Sequence, residues 1–156
     1  MAETVRERII AGIATDLEAI SVANGYENDF TGVQRFLQSG ISLADVPCLV
    51  VNFDEERKTL GPSDRADCEL RIIVDVYAIH DESTVSGSSA TLVDSMLGDV
   101  EKAIMSDTTR DGLARTCEIE AVQNFRQAEG QGFWGGSVLA KIGYSHLYSS
   151  PFEARA

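Results

Sequence analysis

Basic side chains are scarce in this chain. Lys and Arg number 13 against 25 Asp and Glu, which leaves a formal net charge of −12, and the deficit runs through both halves of the sequence. A groove for duplex nucleic acid needs clustered cations to displace condensed counterions, and no such cluster is visible. Long apolar runs are also missing: nowhere do about 18 apolar residues follow one another, so no membrane-spanning helix is predicted. The first ten residues carry Glu3, Arg6, Glu7 and Arg8 with no apolar core, and no signal peptide is expected. Cysteine is limited to Cys48, Cys68 and Cys117. An odd count at long spacings does not make a disulfide framework, so buried free thiols in a reducing cytoplasm are expected. None of the three has the local basic or His-containing surroundings that activate a thiol nucleophile.

What is present is an ordinary globular balance, 44% apolar and 24% charged over 156 residues, enough to bury a core as one domain spanning 1–156. The chain is organised around residues 68–80, CELRIIVDVYAIH. Leu70, Ile72, Val74, Val76 and Ala78 fall on one face of a strand, and Glu69, Arg71, Ile73, Asp75, Tyr77 and Ile79 on the other. Strict alternation with β-branched enrichment predicts a long strand with one apolar face, which needs strands beside it and helices over it.

The remaining elements follow from period and punctuation. Val5, Ile9, Ile10, Ile13, Leu17 and Ile20 recur at helical spacing over residues 4–22, and Asn24-Gly25 stops that helix. A strand is predicted over 30–36 and a buried one over 48–53. Residues 54–67 are charged, contain Gly61-Pro62 and show no period, which predicts a loop of about a dozen residues. Residues 81–89 are polar and end in N-cap candidates. A second helix spans 91–105, with Leu92, Val93, Met96, Leu97, Val100, Ala103, Ile104 and Met105 inward and Asp94, Asp99, Glu101 and Lys102 outward. A turn at 107–112, a strand at 117–125, a glycine-rich loop at 127–136, a strand at 137–148 and a tail at 149–156 complete the chain. The order α-β-β-β-α-β-β predicts an α+β fold: a mixed, mostly antiparallel sheet of about five strands with two helices packed on one face. The loops at 54–67 and 127–136 are expected to be mobile in a free protomer and ordered by assembly.

Candidate chemistry is thin. Gly130-x-Gly132-x-x-Gly135 matches a dinucleotide fingerprint, with Glu153 downstream, but that motif needs a helix after it and here an alternating strand follows, so a glycine-rich hairpin loop is the better reading. His80-Asp81-Glu82 with His146 lacks ligand pairs at fixed spacing and reads as solvated strand ends. Asp54-Glu55-Glu56 lacks the calcium-loop pattern and reads as a solvated acidic turn. No Ser-His-Asp order, phosphate loop or carboxylate pair can be argued, so no catalytic, cofactor or metal residue is assigned and no enzyme is expected. Phe133-Trp134 between glycines is either a loop folded onto the core or an exposed anchor at a subunit interface.

Several segments, taken in order, resemble the tail terminator (tail-completion) proteins of long-tailed bacteriophages. A first helix runs into Ala23-Asn24-Gly25-Tyr26-x-x-Asp29, and a strand reaches Arg35. A strand begins at Pro47-Cys48-Leu49-Val50-Val51, and an acidic loop precedes a strand ending Val74-Asp75-Val76-Tyr77. A helix then carries Asp99-Val100-Glu101-Lys102-Ala103-Ile104, followed by Asp107 to Asp111-Gly112-Leu113-Ala114 and two closing strands. The resemblance covers almost the whole chain and rests on order and spacing, because each piece is short. It implies a virion protein of the phage neck, assembled in the host bacterial cytoplasm. Such proteins form a ring, typically of six copies, that caps the tail tube, ends elongation and offers a surface to the head-side connector or stopper. The partners it implies are the chain itself, the tail tube protein and the connector; DNA passes without specific binding, and no cofactor or membrane is involved. On this reading Asp54, Glu55, Glu56, Arg57, Lys58, Phe133 and Trp134 are the candidate interface residues. Another neck component, such as a head-completion or stopper protein, is the alternative in the same setting. A small cytosolic enzyme or ligand-binding domain is the alternative from another class.

Overall fold

Thr4 opens the first helix: its hydroxyl accepts the backbone N–H of Glu7 at 3.1 Å, satisfying one of the donors every helix start leaves orphaned. In the computed structural model, which describes residues 1–35, 45–79, 88–125 and 133–155 (side chains at 79, 88–90, 125 and 133 excepted), this helix is α1, Val5–Glu18. It is shorter than the predicted 4–22. The Asn24 side chain donates to the Ala19 carbonyl at 2.7 Å, and a single 3₁₀ turn over Val22–Asn24 closes on Gly25 at φ 88°. Gly25 thus supplies the left-handed residue that a side chain would resist.

The strands are β1 (Gly32–Gln34), β2 (Cys48–Gly61), β3 (Arg65–Ile79), β4 (Ala114–Phe125), β5 (Phe133–Leu147) and β6 (Ser150–Ala154), with helix α2 at Ser88–Met105 between β3 and β4. They form one sheet in the order β1-β2-β3-β5-β4, with β6 pairing on β5. The β1–β2 pair is parallel and every other pair antiparallel, so the sheet is mixed and mostly antiparallel, and the fold is α+β as predicted.

β3 carries the predicted stripe. Leu70, Ile72, Val74, Val76 and Ala78 are all buried and join Leu49, Val51, Val138, Ala140 and Ile142 under the two helices. Burial of these β-branched and Leu side chains, each worth roughly 1.5–3 kcal/mol relative to exposure, holds both helices on one face. The three thiols are free and buried.

Four sequence expectations are corrected. Residues 54–61 are the second half of β2, paired with β3 down to Gly61–Arg65, so only 62–64 turn; an edge strand shows no apolar period because neither face of it is fully buried. The irregular loop on which the expectation of mobility rested is replaced by paired strand. The glycine-rich segment is cut short in the same way: β5 begins at Phe133, and a Cβ on Gly136 would meet the Gln123 carbonyl at 2.5 Å and Leu97 at 2.9 Å. Glycine there lets α2 and β4 close onto the strand; residues 126–132 lie outside the described part. The tail forms β6. On α2, Leu92 and Met105 are half exposed, while Asp99, predicted to face outward, is only 4% exposed. Its carboxylate accepts the Asn28 backbone N–H at 2.9 Å, the Glu27 N–H at 3.1 Å and the Asn28 amide at 2.9 Å, so a helix carboxylate caps a distant loop. Residues 80–87, with His80-Asp81-Glu82, are outside the described part.

Candidate interface along strand β2

One extra residue sets the character of β2. Up to Phe53 the pairing is Val51–Val74, Asn52–Ile73, Phe53–Ile72; beyond it Glu55 faces Arg71 and Glu56 faces Leu70. Asp54 is thus the bulged residue, and such a bulge exchanges the faces of everything after it. Glu56, Lys58 and Leu60 thereby turn to the helix side, and Glu55, Arg57 and Thr59 to the opposite face.

The exchange puts a carboxylate inside. The Glu56 side chain is 3% exposed. Its Oε1 accepts the Tyr144 hydroxyl, and its Oε2 lies 2.9 Å from Arg6 and 3.4 Å from Lys58. Lys58 continues to His146 Nε2 at 3.0 Å, and His146 Nδ1 lies 2.6 Å from the Leu147 carbonyl. A carbonyl only accepts and an ammonium only donates, which assigns the proton to Nδ1. Burial, reinforced by the adjoining carboxylate, pushes the Tyr144 hydroxyl far above its ordinary pKa. Burial likewise raises the Cys68 thiol, with Glu56 adding to it, and raises Cys48 to about 11. These groups keep their protons at neutral pH, and both oxygens of Glu56 are occupied, an arrangement suited to holding geometry rather than to moving a proton. His146, read from the sequence as a solvated strand end, is buried here.

The opposite face is a balanced web of charge. Glu55 bonds Arg57 at 3.0 Å and approaches Arg71 at 3.8 Å, while Arg71 reaches Glu120 at 3.1 Å. Lys141 meets Glu118 at 3.0 Å, and Asp67 sits between Arg65 at 3.1 Å and Arg115 at 2.9 Å. The Ser145 hydroxyl on Asp67, helped by the two guanidinium groups, holds that carboxyl below its usual value.

Where β1 ends, an open cleft of about 650 Å³ lies between α1 and β2, lined by Arg6, Glu7, Ile10, Arg35, Val51, Asn52 and Phe53. Arg6 stands over the Phe53 ring at 5.0 Å, and Arg35 grips Glu7 through both nitrogens at 2.9 and 3.0 Å.

The sequence-predicted interface residues therefore divide into two places. Asp54, Glu55, Arg57 and Lys58 share the free edge of β2, and Glu56 anchors it from within. Trp134 pairs with Ala78 at the start of β5 and packs against the core, half buried; the Phe133 side chain is outside the described part. Glu56 is level with Ile142, eight residues along β5 from Trp134, roughly 25 Å at the rise of a strand. Arg6 and Tyr144 were missed and His146 was taken for a solvated end, since only the bulge turns Glu56 and Lys58 towards them.

Compared with known proteins, the chain matches no protein-family model, and no curated protein is detectably similar to it in sequence.

Proposed function

We propose that this protein is a structural component of a phage neck, a tail terminator whose copies close into a ring of about six on the end of the tail tube. The observation that supports this reading is the way the segments of the resemblance meet in the fold. Asp99 caps residues 27–28, Lys102 bonds the Gly25 carbonyl at 2.7 Å and covers the Tyr26 ring at 4.7 Å, and Asp29 accepts the Val22 N–H at 2.9 Å. Arg35 closes on Glu7. Residues scattered from 7 to 102 thus support one another in building a single body.

The physical logic of termination suits such a body. A tube of identical rings presents the same open face after every addition, and head-to-tail growth continues until that face is covered. A terminator copies the tube's symmetry on one side and offers a different surface to the connector on the other. The hairpin turn at 62–64 is pinned to the β5–β6 turn, with the Tyr148 N–H bonding the Asp64 carbonyl at 2.7 Å and Ser149 bonding the Asp64 carboxylate at 3.0 Å. It supplies one firm rim for contact along the axis. Deletion of the gene is expected to leave filled heads without tails together with tubes of uncontrolled length, seen by electron microscopy of the lysate. Tails of normal length, attached or free, would overturn the terminator role in favour of a head-side neck protein.

A further inference from the structure

Lys58 and His146 lie on strands that are not neighbours. β3 runs between them, with Cys68 level with Lys58 and Tyr144, and Ala66 level with Leu60 and His146. Ala66 and Cys68 are buried and short, which leaves the Lys58 side chain room to pass over β3 and bring its ammonium to 3.0 Å from His146 Nε2. On the other side of the imidazole, Nδ1 holds the Leu147 carbonyl at 2.6 Å. Both nitrogens are therefore engaged, and the residue is only 2% exposed.

A second proton has no place on this imidazole. It would land on Nε2 and turn the atom that accepts from Lys58 into a donor facing an ammonium. The groups around it give no relief. Among the described residues Glu56 is the carboxylate of the cluster, and its oxygens already hold Tyr144, Arg6 and Lys58. Tyr144 on β5 and Cys68 on β3 are neutral, their protons held by burial. Asp67 of β3 faces the other side of the sheet, between Arg65 and Arg115. On α1, Arg8 is exposed and bonds the Phe152 carbonyl of β6, and Glu153 and Arg155 of β6 are exposed as well. Protonation would thus set the imidazolium, Arg6 and Lys58 against one carboxylate, at an imidazole that water hardly reaches.

We infer that His146 is an acid-sensitive latch: a second proton on its imidazole expels the Lys58 ammonium and frees the turn that follows. The way out exists, because the Lys58 side chain is 39% exposed. A charged imidazole without that partner turns towards water, and its Nδ1 leaves the Leu147 carbonyl. Leu147 is where the β5–β6 pairing shifts register and closes on Ser150. The two residues between them, Tyr148 and Ser149, are those that tie Asp64 and hence the hairpin turn at 62–64. Release at His146 is thereby passed to both turns. The inference goes beyond the terminator reading and does not depend on it; in a terminator it would make the axial rim firm at neutral pH and loose in acid.

The test reads the imidazole by long-range ¹H–¹⁵N NMR and the turn by amide hydrogen exchange, both on the full chain. The Nδ1–H tautomer is expected at about pH 7.5, with the second proton arriving before about pH 5.5. With it, protection of the Tyr148 and Arg155 amides, corrected for intrinsic exchange, should fall at least roughly tenfold. Amides of α2 should keep their protection, and return to neutral pH should restore the turn. His146→Gln, whose side-chain oxygen still accepts from Lys58 but takes no proton, is expected to abolish the response. His80→Gln, at the chain's other histidine, is expected to retain it. A second proton taken up with both amides still protected would overturn the latch, and so would a turn that loosens equally in His146→Gln. An imidazole still neutral at about pH 5.5, or protection lost throughout α2 as well, would overturn it too.

Discussion

Glu56 has Tyr144, Arg6 and Lys58 on its two oxygens, and each partner was drawn towards the interior to meet it. Removing one member of a buried charged network costs more than the net worth of its contacts, because the others are left desolvated and unpaired. Arg6 and Lys58 are each about a third exposed and can rehydrate, whereas the Tyr144 hydroxyl cannot. Glu56→Ala is therefore expected to cost about 2–3 kcal/mol, a fall of roughly 5–10 °C in melting midpoint for a domain of this size. Tyr144→Phe, which leaves the two cations on the carboxylate, is expected to cost about 1 kcal/mol. Thermal melts followed by circular dichroism check both, and equal midpoints for the two variants would mean that the phenol carries the network. Nothing in the sequence announced this cluster. Asp54-Glu55-Glu56 is a run of acids in any linear reading, and the bulge that sorts them into one exposed, one paired and one buried carboxylate leaves no mark in composition.

Among the elements, β3 was legible from its period alone, since a strand with helices over one face must alternate. β2 was legible only as far as Phe53, where the same helices stop covering it, and the charged remainder looked like a loop because an edge strand satisfies neither period. The α2 stripe was legible except at Asp99, where a helix side chain serves the backbone of another segment. Helix α1 shows a further coupling: Glu7, in its first turn, is held by Arg35 just after β1, and that bond, with Arg35 and Arg6 charges adding to it, keeps its carboxyl below the ordinary 4.5. A lowered folded-state pKa contributes stability that is fully present above the unfolded value and is lost as pH falls through the folded one. The stability gap between wild type and Arg35→Ala should therefore be full at pH 7 and shrink as the pH falls below the ordinary 4.5, checked by urea titrations at neutral and acid pH. A gap independent of pH would assign the Arg35 contribution to packing.

At the scale of the whole molecule, charge is distributed unevenly. The face away from the helices carries Arg57, Arg65, Arg71, Arg115 and Lys141 against Glu55, Asp67, Glu69, Asp75, Glu118 and Glu120. Five of the chain's 13 cations thus stand against six of its 25 carboxylates there, close to balance in a chain whose net charge is −12. A gel-shift assay at low salt is expected to show no retention of duplex DNA, because no part of this pattern offers an excess of cations to phosphate. Salt-sensitive retention would require a basic surface created by assembly. Among the described residues the same distribution leaves the face away from the helices less negative than the helix side, an electrical asymmetry along the sheet normal. Any polyanion approaching it exerts a torque before it makes contact. The molecule would arrive already turned, its helices away and its charged web foremost.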